Sequence, residues 1–394
     1  MRGISLKLDL QSIINNSEIN NILEIPYFKP WINQNDKNSV ISALNSRWLT
    51  NGPFLQKFEK IVSTFLKTKF AIGTSSATTS LHLSLRGLGI KPGDEVIVPT
   101  NTFAATENAV LYCGAKPVLV DIDVDTFNIS INDIQKKITS KTKAIIPVHY
   151  GGQSCDMSEI NSIAKKSNLK IVEDCAHALG ATYKNKKCGS FGICGCFSFY
   201  PTKIITTGEG GMISTSNSAV AKKINLLRSQ GMSVSAKSRE STGSWKYDVV
   251  DVGYNYRIDE MRCALGYSQM QRIDQINKLR IRVAKKYDKA LSKIPGLILP
   301  VNKKDRNHIY HLYAIRITPD YHLTRDELFA KLHKSGVGCS VQYIPLHQMS
   351  YNKKLIQKNH KFPNADLIKN QVLCLPIYPK MNNKQIQKVV SILK

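Results

Sequence analysis

The segment CFSFYPTKIITTGEGG, residues 196–211, sets one lysine, Lys203, between an apolar run and a glycine-rich turn. An amine placed there is either a loop lysine between two strands or a nucleophile aimed at a carbonyl, as in Schiff-base chemistry. Asp174 closes a second apolar run, KIVED. Its carboxylate either caps the next helix or pairs with a protonated ring nitrogen whose charge keeps it ionised. Thr78 and Thr79 open a helical stretch after the Ser-rich turn in GTSSATTS. Hydroxyls and amides at a helix start hold phosphate well, and they are also ordinary N-caps. Phe103, in PTNTFAAT, reads by default as a core aromatic. Taken singly, none of these residues decides the chemistry.

The elements that must position them are legible as a pattern. Between residues 70 and 216, KFAIGTSS, DEVIVPT, KPVLVDID, KAIIPVHY, LKIVEDCA and CGCFSFY are short apolar runs separated by helical stretches. Continuous apolar runs alternating with helices predict an α/β fold with a mostly parallel sheet covered by helices. Ligands of such sheets sit beyond the carboxyl ends of the strands. Thr78, Phe103, Asp174 and Lys203 all lie at or just past such ends. From residue 257, RIDEMRCALGYSQMQRIDQINKLRIRVAKKYDKAL predicts one long helix, which KIPGLILP breaks. The remainder mixes strands (HLYAIRI, GCSVQYIPL) with helices (TRDELFAKLHKSG), a smaller α+β domain. The expected division is an N-terminal extension at 1–23, a large domain at 24–275 and a small domain at 276–394.

Composition narrows the class. The 394 residues are 42% hydrophobic and 21% charged, an ordinary globular balance. No apolar run reaches membrane-spanning length, and the start lacks the apolar core of a signal peptide. The 9 cysteines are scattered without CxxC pairs, which fits a reducing, cytoplasmic compartment. Cys188, Cys194 and Cys196 lie close together but alternate with glycine like buried strand residues, so no metal site is expected. The net charge of +26 is unusual. Its lysines are spread along the chain, with no aromatic-interleaved or helix-turn-helix signature, so a generally basic proteome or an anionic small substrate explains the charge at least as well as nucleic acid does.

Taken in order, GTSSATTSLHLSL, DEVIVPTNTFAATENAVLYCGAKPVLVDID, IVEDCAHALGATY, FSFYPTKIITTGEGGMI and VGYNYRIDEMRCALGYSQ resemble the successive motifs of the DegT/StrS aminotransferases. These are fold-type I pyridoxal-phosphate (PLP) enzymes that make amino sugars on nucleotide carriers. The likeness runs from about Tyr27 to the C-terminus; the extension lies outside it. The resemblance implies that Lys203 is the lysine joined to the cofactor aldehyde and that Asp174 pairs with the pyridine nitrogen. It sets Phe103 over the ring and gives Thr78, Thr79 and Ser198 the phosphate. Asn255, in GYNYR, matches an asparagine that reaches the phosphate of the neighbouring subunit's cofactor, which implies a homodimer. His177 stands where glutamine is common, and is either a contact to the cofactor hydroxyl or a core histidine.

The resemblance also implies an amino donor, L-glutamate, and a keto nucleotide-sugar acceptor. Related dehydratases carry histidine where this chain has Lys203, so amino transfer is expected. TTGEGGM is closer to relatives that aminate C4 of a 4-keto-6-deoxy sugar. C3-acting relatives more often show Gly-Asp-Gly-Gly, although they share FYPTK. His311, Tyr313, Tyr343 and His347 resemble small-domain residues near the sugar and diphosphate, or are plain strand residues. Arg228, in LLRSQGM, meets either a substrate anion or an acid of the protein. The alternative from another class is a basic, non-catalytic binding protein on the same scaffold.

Overall fold

The computed structural model describes residues 23–233, 243, 245–353 and 361–394. The expected extension therefore lies outside the described residues, except for Leu23. The first strands along the chain are β1 (Phe70–Thr74), β2 (Glu95–Pro99), β3 (Lys116–Val120), β4 (Thr142–Ile145) and β5 (Lys170–Asp174). They continue with the short β6 (Thr182–Tyr183) and β7 (Lys186–Lys187), then β8 (Cys194–Ser198) and β9 (Gly211–Thr215). Seven of these form one sheet in the order β1-β9-β8-β5-β4-β2-β3. Strands β3, β2, β4, β5 and β8 pair in parallel, while β9 runs antiparallel to both β8 and β1. The mostly parallel, helix-covered sheet expected from the apolar runs is therefore the observed one. The antiparallel strand is GMIST, which follows Lys203 after one tight turn.

Both sheet faces are buried. One carries Ile72, Val96, Val98, Ala144, Val172 and Cys196 against helices that include Ala77–Gly87 and Ser218–Arg228. On the other side, Ile97, Ile145 and Ile171 meet the helix Met157–Lys166. Such burial stabilises each side chain by about 1.5–3 kcal/mol.

Past residue 257 the structure corrects the expectation of one long helix. Helices Glu260–Met270 and Ile273–Leu291 are separate, because Arg272 leaves helical geometry at φ −123, ψ 21. Its guanidinium donates instead to Asp36 Oδ1 at 2.8 Å and to the Trp31 carbonyl at 2.8 Å. The second helix spans two cores. Ile273 and Ile276 pack with Phe58, Phe197 and Phe199, whereas Val283, Ala284, Tyr287 and Leu291 pack with the C-terminal cluster. That cluster is built on the antiparallel sheet of β10 (Leu297–Ile298), β12 (Tyr313–Ile317) and β13 (Val372–Leu375). The pair β11 (Arg306–Asn307) joins β6 instead. GCSVQYIPL, expected as a strand, makes only an isolated bridge at Ser340, and Val337 just before it makes another. Its backbone turns to the segment after β2, with Tyr343 N–H donating to Asn101 Oδ1 at 3.3 Å.

One buried hydrogen-bond hub holds the end of β5. Glu173 accepts from the amides of Gly189, Phe191 and Gly192 at 2.8, 2.7 and 2.7 Å. His149 Nε2 lies 3.0 Å from the same carboxylate, while His149 Nδ1 accepts from Cys155 N–H at 3.0 Å. His149, Glu173 and Cys175 form the one metal-compatible group among the described residues. With Nδ1 accepting and Nε2–H donating, the ring keeps no free lone pair for an ion. Glu173→Ala is expected to lower stability by on the order of 3–5 kcal/mol, since it strands three amides and a histidine. Thermal denaturation of the purified variant measures this; an unchanged midpoint would show that the hub is dispensable.

Candidate active site

The site is assembled at the carboxyl ends of β5 and β8, with the start of the helix Ala77–Gly87 beside them. Asp174 is the last residue of β5 and only 6% exposed. No helix follows it, so the capping alternative falls away; residues 175–181 are turns. Its Oδ2 accepts from Thr106 Oγ1 at 2.8 Å and its Oδ1 from Ala176 N–H at 3.0 Å. Thr106 is itself paired with Thr102 at 2.8 Å. Burial raises the Asp174 pKa, and these two donors together with the charge of Lys203 oppose the rise. A further cation at this carboxylate would complete its stabilisation.

Lys203 is half-buried in the loop between β8 and β9. Burial pushes its amine down to about 8, against the pull of Asp174. The loop is held from both ends. Phe199 N–H donates to Gly210 O at 2.9 Å, and Gln269 clamps the Thr206 backbone, donating to its carbonyl at 2.6 Å and accepting from its amide at 3.1 Å. Gln269 lies in GYSQM beyond the residues singled out from the sequence. No spacing in GYSQM marks it, because its partner Thr206 stands 63 residues away in the sequence. Gly208 supplies the positive φ of +77 that turns the chain back.

The phosphate-type cradle depends on one close approach. Gly211 pairs with Ser198 on one side and with Thr74 on the other. A Cβ on Gly211 would lie 2.3 Å from the Ser76 carbonyl. Only glycine therefore lets the start of the helix Ala77–Gly87 settle over β9, next to Ser198. Ser76 and Thr79 form a capping box, with Ser76 N–H donating to Thr79 Oγ1 at 3.1 Å and Thr79 N–H to Ser76 Oγ at 3.2 Å. The Thr79 hydroxyl donates to Ser76 O at 2.8 Å, so its proton is committed to the cap. The amides of Ala77 and Thr78 have no intrahelical acceptor, the ordinary state of a helix start that receives an anion.

Phe103 caps the helix Ala104–Leu111 and is 63% exposed, which removes the core-aromatic alternative. Its ring lies 6.2 Å from that of Tyr343. Tyr343 OH lies 2.9 Å from His177 Nε2. Burial, with Lys203 nearby, holds the His177 pKa well below its usual value, so this is a contact between neutral groups. The His311 ring lies against that of His177, tilted, with centroids 4.3 Å apart, so the structure brings His177, His311 and Tyr343 together with Lys203.

Three other residues are placed differently. Arg228 is buried, donating to Glu59 at 2.9 Å and to the Gly73 carbonyl at 2.7 Å; the acid it meets belongs to the protein. Tyr313 lies in the C-terminal hydrophobic cluster and donates to Asp288 at 2.6 Å, because odd positions of β12 face that cluster. His347 spends one ring nitrogen on Thr100 at 2.7 Å and the other on Asp366 at 2.9 Å, joining the end of β2 to the helix Pro363–Gln371. Asn255 is exposed, on a segment whose Tyr256 carbonyl accepts from Ser75 N–H at 3.0 Å.

A buried acid at one strand end, an amine of lowered pKa at the next and an anion cradle beside them define a site for an aldehyde cofactor carrying a phosphate. The DegT/DnrJ/EryC1/StrS aminotransferase family matches residues 30–394, and the chain belongs to that family. It is 44% identical over 373 residues to the uncharacterized protein MJ1066 of Methanocaldococcus jannaschii, covering 94% of this chain and 97% of that protein. It is 40% identical to the spore coat polysaccharide biosynthesis protein SpsC of Bacillus subtilis, covering 94% and 96%. GDP-perosamine synthase of Caulobacter vibrioides is 37% identical, covering 92% and 96%. Among solved structures, Spr1654 of Streptococcus pneumoniae in its PMP form superposes with a TM-score of 0.88 at 30% identity, covering 94% of this chain and 98% of that one. A PLP form of the same protein also matches.

The protein is thus a PLP-dependent transaminase, and its own residues fit that cofactor. Ala77, Thr78 and Ser198 would hold the phosphate, Asp174 the ring nitrogen, and Lys203 the aldehyde end. PLP supplies an aldehyde and a ring that accepts an electron pair while its nitrogen is protonated. Asp174 would stabilise that ring charge, and Lys203 Nζ would hold or move the proton.

Cofactor capture needs the neutral amine, which predominates above its pKa. Capture of added PLP by the cofactor-free protein, followed by absorbance, is therefore expected to rise roughly tenfold per pH unit below about 8 and then level off. A rate still climbing at pH values typical of an exposed lysine would show that burial does not tune Lys203.

Proposed function

We propose that this chain transfers an amino group from L-glutamate to C4 of a 4-keto-6-deoxy sugar carried on a nucleotide. The observation that carries the reading is the Lys203 amine, lowered by burial, with the buried carboxylate of Asp174 acting on it. A binding protein would have no use for an amine tuned in this way. The similarity to GDP-perosamine synthase supports a nucleotide-linked sugar as acceptor. The Glu209 turn, TTGEGGM, supports C4 over C3. The placement of His177 near Lys203 supports its contact with the cofactor hydroxyl, and that of His311 and Tyr343 supports their contact with the acceptor. All 9 cysteines are free and buried, which supports a reducing cytoplasm. The two packing clusters that share the helix Ile273–Leu291 support a domain division near residue 275.

The test is made in two halves. L-Glutamate alone is expected to bleach the cofactor absorbance of the holoenzyme, and a 4-keto nucleotide sugar is then expected to restore it. Restoration by 3-keto but not 4-keto sugars would reassign the position to C3. No bleaching by glutamate would remove it as donor.

Assembly belongs to the same reading. Asn255 is exposed beside its own subunit's helix start rather than bonded within it, which supports a reach across a homodimer interface to the partner's phosphate. Mixing Lys203→Ala with Asn255→Ala subunits, each nearly inactive, is expected to restore activity through heterodimers that carry one intact site. Verified subunit exchange without recovery would place the action of Asn255 elsewhere.

A further inference from the structure

Arg280 is a buried charge that the site described so far leaves unused. It lies in the helix Ile273–Leu291 and is 4% exposed. Its Nε donates to the Tyr310 carbonyl at 3.1 Å and its Nη2 to the His311 carbonyl at 2.7 Å. Both acceptors are neutral, and among the described residues no carboxylate pairs with it. Two carbonyls set the plane of the guanidinium and leave Nη1 without a partner. A buried cation held only by neutral groups is costly until an anion joins it.

Its surroundings show where that anion would come from. Arg280 lines two adjoining clefts. One is walled by Phe28, Lys29, Trp31, Thr202 and Lys203. The other is walled by Tyr27, Phe28, Thr202, His311 and Gln342. Phe28, Thr202 and Arg280 belong to both, so the clefts meet beside Lys203. Neither is lined by an acid. His311 adds a second donor-capable group; it is 4% exposed and its Nδ1 has no partner.

We propose that Arg280 binds the carboxylate of the amino donor, with the donor's amine directed to the cofactor at Lys203. This rests on the aminotransferase reading. An oxyanion is the shared chemistry of a donor carboxylate and of the acceptor's phosphates. An amino-acid carboxylate is one bond from the carbon whose amine reacts, whereas the phosphates are separated from the keto carbon by the sugar ring. A guanidinium lining the same cleft as Lys203 matches the shorter reach, and its planar fork suits a carboxylate.

The test uses the Arg280→Lys holoenzyme, which keeps the positive charge and loses the fork, with the two half-reactions followed separately by cofactor absorbance. The glutamate concentration for half-maximal bleaching is expected to rise roughly 10- to 100-fold. The keto-sugar half should move less than about twofold. A purely structural arginine would weaken both halves together, and a phosphate-binding one would weaken only the second; either result overturns the proposal. Wild-type bleaching by glutamate is the control, and its absence would fail the aminotransferase reading rather than this assignment. If the variant does not fold, a crystal structure of the wild-type holoenzyme with glutarate decides. A glutarate carboxylate within hydrogen-bond reach of Arg280 Nη1 supports the assignment, and glutarate bound elsewhere or absent at saturation overturns it.

Discussion

Two buried carboxylates stand side by side at the end of β5, and strand alternation sends them to opposite faces of the sheet. Glu173 turns towards the body of the protein and gathers three backbone amides and His149. Asp174 turns towards the site and accepts from only two donors, Thr106 and Ala176. The first carboxylate is satisfied by the fold. The second is left short of partners in a buried place, and that shortfall is what a cationic ring answers. The loop from Gly189 to Gly192, which Glu173 holds, leads directly into β8 and so towards Lys203. One strand end therefore places both the acid that needs a charge and the segment that carries the amine.

The same economy governs the phosphate side. Gly211 sits between Ser198 and Thr74 in the sheet and beneath the Ser76 carbonyl, so one missing side chain lets three elements converge. The helix start meets Ser198 only because nothing stands on Gly211. The capping box formed by Ser76 and Thr79 then fixes the first turn and leaves the amides of Ala77 and Thr78 for an anion. Rigidity here comes from groups that touch no ligand at all. Gln269 does the equivalent work under Lys203.

The Lys203 amine shows how position becomes chemistry. An exposed lysine is protonated at neutral pH and is a poor nucleophile. Half-buried and flanked by His177 and His311, both held neutral by burial, it gains free amine without gaining a strong acid partner. Asp174 moderates this shift but does not cancel it. Arg280, behind the same cleft, adds a second cation that no acid among the described residues neutralises. The walls of the site thus carry more positive than negative charge, as a site for anionic donors and acceptors requires.

The ordered apolar runs were enough to establish the α/β class, the mostly parallel sheet and the placement of Lys203, Asp174, Thr78 and Phe103 at strand ends. Each of those inferences rests on local periodicity, which a single chain displays openly. GMIST carries no local sign of direction, so the antiparallel run of β9 emerged only when its neighbours were in place. The division of the expected long helix at Arg272 depends on Asp36 and Trp31, more than two hundred residues away. Arg228, Tyr313 and His347 have types suited to binding anions or sugars, yet tertiary partners engage all three: Glu59, Asp288, and the pair Thr100 and Asp366. No spacing rule reveals such commitments, because a side chain's partner depends on which distant element packs against it. For the same reason Arg280 passed as one more basic residue on a helix until packing buried it without an acid.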